Sequence, residues 1–502
     1  MTELPALGAH PGQPADLLII GGGINGAGIA RDAAGRGLRV ILCEQNDLAS
    51  GTSSMSSKLI HGGLRYLEYG EFRLVREALA EREVMLRIAG HMCWPVPIVL
   101  PQVPGLRPGW LIRLGLFLYD HIGSRKRVPA SHAIDLRRDP IGPSLEAGYR
   151  HGFRFYDCWI DDARLVVLNA VDAAVHGADI RTRTRCVAAR QEQGLWRATL
   201  HGAAGDSDVW ARAVVNAAGP WAGEVGRDVL ALPNPPQLSL VKGSHIVVPR
   251  LLAGQDALML QNPDRRIVFV LPYEDDYTLI GTTEEVHHGD PADASISADE
   301  LDYLLATSAR FLRRKPRLKD VRWSFAGVRP LIESGAGGPT SASRDYSFSL
   351  DIPADGAPLL QVLGGKLTTY RRLAEEALER LQPVFPALGK AWTASAALPG
   401  SDTDDLVAWH RAFLGAYPGL PNSLLRRLAR TYGTRSSAIL GQARYPGDLG
   451  ASFGSGLSEA ELTYLRDREW ARTAADALWR RTKMGLRLTA DEAARVERWF
   501  GR

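Results

Sequence analysis

Apolar residues recur along this chain in two rhythms. Near the start, a continuous apolar run at residues 17–20 meets a glycine turn, a helix of small residues and a second apolar run at 38–43. Such runs, bounded by glycine, read as strands buried on both faces, the habit of a parallel sheet. Residues 72–89 have helical periodicity with charged faces, and 95–108 are proline-rich and extended. Residues 106–123 are unusually apolar around most of a helix circumference, yet too short to span a bilayer. Residues 158–178 read as one helix with Asp161 or Asp162 as N-cap. Short strands are expected at 180–188, 196–201 and 209–215, the last running into Ala217, Ala218, Gly219 and Pro220. From Gln237 the rhythm becomes short strands at hairpin spacing, with one helix at 299–310. An apolar strand at 359–363 then leads into a second glycine-rich helix start, 364–381. Beyond about Pro386 the pattern is helical and charged. Ser458 with Glu461 forms a capping box for a helix expected within 457–484, whose stretch ADALWRRTKMG is amphipathic and basic at its end. Thr489 with Glu492 opens a final helix by the same device.

These elements predict an α/β fold, α+β overall. A Rossmann-type dinucleotide-binding domain would be discontinuous, at 16–95, 150–235 and 325–386. An inserted antiparallel-sheet substrate (cap) domain would take 96–149 and 236–324, and a C-terminal helical domain 387–502.

The chain of 502 residues is long enough for two or three domains. With 60 basic against 56 acidic residues the charge is close to balanced, which argues against nucleic acid as a partner. The cysteines, Cys43, Cys93, Cys158 and Cys186, show neither CxxC nor metal spacing, so a reducing compartment and no metal are expected. No Lys or Arg precedes Arg31, so no secretory signal is expected, and residues 1–15 read as a loose leader.

The first strand-turn-helix carries the spacing Gly21-x-Gly23-x-x-Gly26. Gly21 permits the turn, Gly23 lets a pyrophosphate reach the backbone, and Gly26 lets helix and strand pack closely. The pyrophosphate would sit on the helix N-terminus. Glu44, at the end of the second strand, is placed to take the ribose hydroxyls, and an acid there argues against a 2′-phosphate. The polar loop 50–57 offers many hydroxyl and N–H donors; its plain alternative is a surface loop. Lys58, His61, Arg65 and Tyr66 follow closely, a cationic and aromatic cluster suited to an anionic substrate, although Arg65 alone would read as a surface ion pair. Lys366 and Thr369 stand at the second glycine-rich helix start.

The stretches GGGINGAGIARDAAGRGL, TSSMSSKLIHGGLRYLEYGEFRLVREAL, DCWIDDARLVVLNA, VNAAGPW, KGSHIVVPR, RIVFVLPYEDDYTLIGTT, GVRPL, GGKLTTYRRLAEEAL and DALWRRTK closely resemble the FAD-dependent glycerol-3-phosphate dehydrogenases, in the amine-oxidase-like flavoprotein group. The likeness extends over nearly the whole chain past the leader. It implies oxidation of the C2 hydroxyl of sn-glycerol 3-phosphate to dihydroxyacetone phosphate, with hydride passing to non-covalently bound FAD and electrons to membrane quinone. It also implies a homodimer attached, without spanning it, to the inner, cytoplasmic face of the membrane. That gives the apolar stretch 106–119 weight as an interfacial segment, although the bland reading of a core helix stands beside it.

Carried onto matching positions, the FAD contacts are Gly21, Gly23, Gly26, Glu44, Thr52, Ser53, Ser54, Ser56, Lys58, Val187, Gly219, Gly365, Lys366 and Leu367. Arg65 and Arg329 would hold the phosphate, with Tyr66, His245, Lys366 and Thr369 completing the substrate pocket. His245 is the expected base, since imidazole titrates near neutrality; its plain alternative is a structural histidine, and His61 is the second candidate. Lys366 would stabilise the reduced ring. Readings kept open are an oxidase that makes peroxide from oxygen, an NAD-linked dehydrogenase, and a nucleotide-holding module whose basic helical tail grips RNA or a partner.

Overall fold

The computed structural model describes residues 7, 9–103, 105–123, 125–332 and 345–501. The first apolar run forms the strand Ala15–Ile20, parallel to Val40–Cys43 on one side and to Gly205–Asn216 on the other. Side chains alternate between faces, so this strand feeds two cores. Leu17 and Ile19 pack with the helices Ile24–Gly35, Asp162–Val175 and Tyr370–Leu381, whereas Leu18 and Ile20 pack with Trp196, Ala198 and Leu200 beneath. Asp179–Arg181 and Leu359–Gly364 extend the sheet in parallel. Gly28 explains how the central helices approach: a Cβ there would lie 2.8 Å from the Tyr370 ring.

The second sheet is almost wholly antiparallel. It runs through Leu238–Pro249, Tyr277–Gly281, Ile267–Tyr273 and Ala257–Gln261, then through a parallel step to Cys93–Pro101 and on to His151–Ile160. The strand Trp323–Ile332 pairs with Leu238–Pro249 from Leu238 to Val247. Both His151–Ile160 and Trp323–Ile332 thus hydrogen-bond into this sheet, although most of their residues fall in the segments that the sequence groups with the dinucleotide-binding unit.

Two helices are shorter than their patterns suggest. Residues 158–160 finish a strand, paired with Leu59 and Ile60, and the helix begins only at Asp162, capped by Asp161 Oδ1 accepting from the Arg164 N–H. In the C-terminal unit the helix Glu459–Glu469 ends at Trp470, which has φ 56°. Asp476 then accepts from the N–H groups of Arg472 and Thr473, and so starts a separate π-helical turn, Asp476–Arg481. Both capping boxes form their side-chain caps as expected. This unit has its own core, with Leu425, Leu428, Tyr432, Leu462, Leu465 and Leu478. Part of the leader is docked, since the Leu7 N–H donates to Asp179; residues 1–6 and 8 lie outside the described residues.

The apolar stretch forms the helix Gly109–Ile122. Ile112, Leu116 and Tyr119 are buried against Val75 and Leu79. Trp110, Leu111, Leu114 and Phe117 are exposed, Trp110 by 69%. Among the described residues no helix is long and apolar enough to cross a membrane.

Candidate active site

One cavity of about 640 Å³ is lined from both sheets, from the first glycine turn to the second glycine-rich helix start. At the glycine turn the backbone has little room. Gly21 has φ +116°, and a Cβ on Gly26 would sit 1.9 Å from the Gly21 carbonyl oxygen. Gly26 therefore serves packing, not lining. Gly21, Gly23 and Glu44 line the cavity. Glu44 is anchored by backbone donors: Oε2 accepts from the Gly22 N–H at 2.7 Å and Oε1 from the Asn46 N–H at 2.8 Å. Burial pushes its pKa up, against the pull of those donors. Ser53 Oγ accepts from the Ile24 N–H at 3.0 Å, over the N-terminus of the helix.

The serine-rich loop divides its residues between the cavity and what lies beneath it. Thr52, Ser53, Ser56 and Ser57 line the cavity. Below them Lys58, at φ 57°, sends Nζ to the Ser54 carbonyl at 2.6 Å and to Asp162 Oδ2 at 2.7 Å. Ser56 Oγ donates to the same carboxylate oxygen at 2.7 Å. Burial lowers the Lys58 pKa, and Asp162 opposes the shift. Ser54 and Lys58 are thus buried supports and do not line the cavity. Val187 does not line it either; its side chain is exposed at a strand bulge, and Cys186 beside it faces the cavity. Gly219, Gly365, Lys366 and Leu367 line the cavity.

Arg65, Tyr66, Arg329 and Lys366 also line the cavity. Lys366 Nζ lies 3.9 Å from the centroid of the Tyr66 ring. Arg329 is 3.5 Å from Thr282 Oγ1 and 3.7 Å from Glu284. Arg65 rests on Tyr69, in a turn between Gly63 and Gly70, both left-handed. Thr369 is buried away from the cavity, and Thr368, its neighbour, lines it.

His245 lies behind the cavity wall. Its ring stacks on Phe325 at 4.9 Å, and Nε2 is 2.8 Å from Ser57 Oγ. Burial first, then Lys58 and Arg329, hold its pKa well below the ordinary imidazole value. The structure thus joins His245 to the cavity through Ser57, a residue that the sequence reading passed over within its serine run. His61 lines the cavity, and its backbone approaches Thr368 Oγ1.

A dinucleotide-sized cofactor suits these residues. The glycine turn leaves an open helix start, Glu44 keeps lone pairs beyond its two backbone bonds, and Asn25, also lining the cavity, has a buried Oδ1 with no partner among the described residues. Among the described residues no group of three or more His, Cys, Asp or Glu could hold a metal ion. In the amphipathic stretch of the tail, Arg481 and Lys483 are buried.

Comparison with known proteins agrees with this geometry. Residues 16–371 match the family model described as FAD dependent oxidoreductase, and 391–498 that of the C-terminal domain of alpha-glycerophosphate oxidase. The chain is 52% identical to the glycerol-3-phosphate dehydrogenase of Pseudomonas aeruginosa, over 97% of this chain and 94% of that protein. It is 50% identical to the D-erythritol 1-phosphate dehydrogenase of Brucella abortus, over 97% of this chain and 98% of that one. It is also similar to the crystal structure of the glycerol-3-phosphate dehydrogenase from Bacillus halodurans complexed with FAD, with a TM-score of 0.73, 26% identity, and coverage of 97% of this chain and 94% of that one.

Proposed function

The chain belongs to the FAD-dependent oxidoreductase family, among the glycerol-3-phosphate dehydrogenases, and on that premise we propose that it oxidises sn-glycerol 3-phosphate to dihydroxyacetone phosphate. The observation that supports the substrate is that three cations, Arg65, Arg329 and Lys366, line the same cavity as Ser57. A phosphate with nearly two negative charges needs such a cluster, and guanidinium groups match its oxygens in pairs. When bound, FAD supplies the two-electron acceptor for the hydride that leaves C2. The glycine turn, Glu44 and the serine loop would hold it, with Gly365, which stands beside Asn25, and Leu367.

The hydroxyl proton on C2 must depart with the hydride. Ser57 Oγ takes it and passes its own proton to His245 Nε2, 2.8 Å away. His245 is neutral at pH 7 and so ready to accept. The nearby charges of Lys58 and Arg329 oppose its protonation. A phosphate paired with Arg329 offsets part of that repulsion, which raises the basicity of His245 when substrate is in place. Lys366 offers its charge to the phosphate and to the electron-accepting ring.

Electrons leave to a membrane quinone. The exposed Trp110, Leu111, Leu114 and Phe117 on the helix Gly109–Ile122 support attachment of a homodimer to the cytoplasmic membrane surface. Anaerobic addition of glycerol 3-phosphate should bleach the visible flavin band of the purified protein; a persistent band would refute the substrate. Reoxidation by quinone without peroxide would then separate a dehydrogenase from an oxidase. The relative named for D-erythritol 1-phosphate supports a second reading, a longer polyol phosphate. A higher kcat/KM for that substrate would select it.

A further inference from the structure

The stretch ADALWRRTKMG takes no part in the chemistry above, and no residue beyond Thr368 lines the cavity. Its charges nevertheless reach the two strips that wall the cavity's glycine-turn end. The first strip is Glu44, Gln45 and Asn46, followed by Asp47; the second is Thr184, Arg185 and Cys186, preceded by Arg183. The strips are joined to each other, because the Arg183 N–H donates to the Asn46 carbonyl and the Thr184 N–H to the Glu44 carbonyl, both at 2.7 Å.

The C-terminal unit grips both strips from outside. Asp47, 1% exposed, accepts two parallel bonds from Arg481 at 2.8 Å each, and a third from Arg480 Nε at 2.6 Å. Arg481 is itself fully buried, and its Nη2 also donates to the Glu469 carbonyl at 2.7 Å. On the second strip, Arg183 Nη2 donates to Asp476 Oδ2 at 2.7 Å. Arg480 also bonds Asp476, which closes the network. A bidentate guanidinium–carboxylate pair fixes orientation as well as distance. Asp47 is three residues from Glu44, whose carboxylate accepts from the Asn46 N–H, so a shift of the clamp would reach the strip that carries Glu44.

We propose that Arg481, with Arg480 and Asp476, is a positioning group for the adenosine half of FAD, so that the C-terminal unit sets cofactor affinity without touching the cofactor. This rests on the reading that the cavity holds FAD along its length, with adenosine at the glycine-turn end.

The test is flavin-fluorescence titration of full-length protein stripped of cofactor, using both FAD and FMN, which lacks the adenosine half. Arg481→Gln should raise the Kd for FAD about 10- to 100-fold, as loss of an outer support does at other ligand sites. Its Kd for FMN should stay within about threefold of wild type. Arg481→Lys, which keeps charge but not the paired geometry, should fall between the two. Arg183→Gln, at a half-exposed position, should weaken FAD in the same selective way even if the Arg481 variants do not fold. Unchanged FAD affinity in the variants that fold would overturn the inference. Equal weakening of FAD and FMN would overturn it too, since that marks general loosening. Wild-type protein that takes up neither flavin would instead overturn the cofactor reading beneath it.

Discussion

Two parts of the cavity handle charge in opposite ways. At the glycine-turn end and under the serine loop, charged groups are matched within the protein: Glu44 by backbone N–H groups, Asp47 by Arg481, Lys58 by Asp162. Elsewhere on its wall three cations, Arg65, Arg329 and Lys366, line the cavity, and Arg329 lies 3.7 Å from Glu284. The first arrangement spends its charges on shape. The second sets its cations along the cavity wall. A residue's worth to stability and its worth to turnover should therefore separate along the cavity.

Asp162→Asn should bring the largest change. It would leave the Lys58 ammonium buried beside a neutral amide, costing about 3–5 kcal/mol of stability in urea unfolding. A loss below about 1 kcal/mol would mean that this region is not held by charge. Arg329→Ala should do the reverse. Unfolding stability should barely change, while kcat/KM falls by about 3 kcal/mol, roughly 150-fold, with FAD retained. Unaltered turnover would remove Arg329 from the phosphate site. Ser57→Ala sharpens the contrast within the substrate end: flavin reduction by substrate should slow about 100-fold with little change in KM if the hydroxyl carries the proton to His245. A normal reduction rate would break that relay.

The smallest effect is that of pH on stability. His245 stays neutral in the folded protein because its pKa is held well below 6.5. The unfolded chain takes up a proton near pH 6.5, so below that pH it binds more protons than the folded one. Stability should then fall with acidification by about 1.4 kcal/mol per pH unit from this residue, until its folded pKa is reached. Buried His91, with a pKa lowered to about 3 chiefly by burial, adds a similar slope. His245→Asn should remove one of the two contributions between pH 6.5 and 5.5. An unchanged slope would show that His245 is protonated in the folded state.

How much of this was legible in the sequence follows the same division. The glycine-turn end is local: strand, turn, helix and terminal acid lie within thirty residues, and each constraint acts through nearby backbone. Gly21, Gly23, Glu44 and Ser53, which the family pattern names there, line the cavity. The substrate end is assembled from segments around residues 57–66, 245, 329 and 366, and sequence gives the residue types without their depth. Lys58 and Ser54 were read as cofactor contacts; the structure puts them one layer down, because a lysine at φ 57° turns its side chain toward Asp162. Ser57 looked like any other serine in its run, since only tertiary pairing brings His245 behind it. The segment 457–484 looked like one helix because helical periodicity does not record Asp476 capping a fresh start. Residues 106–119 were read both ways, and the helix is both: one face in the core, the other exposed.

The Arg481–Asp47 pair also has a bearing on biosynthesis. Its two residues are 434 positions apart. At about 5–20 residues per second, translation takes roughly 20–90 s to bring the arginine out after the aspartate. The sheet of the nucleotide fold is complete only once Leu359–Gly364 has been made, and from then until the arginine emerges the fold has no brace behind it. On the positioning role proposed for Arg481, cofactor loading would be coupled to completion of the polypeptide, and a truncated or stalled product would be poorly charged with flavin.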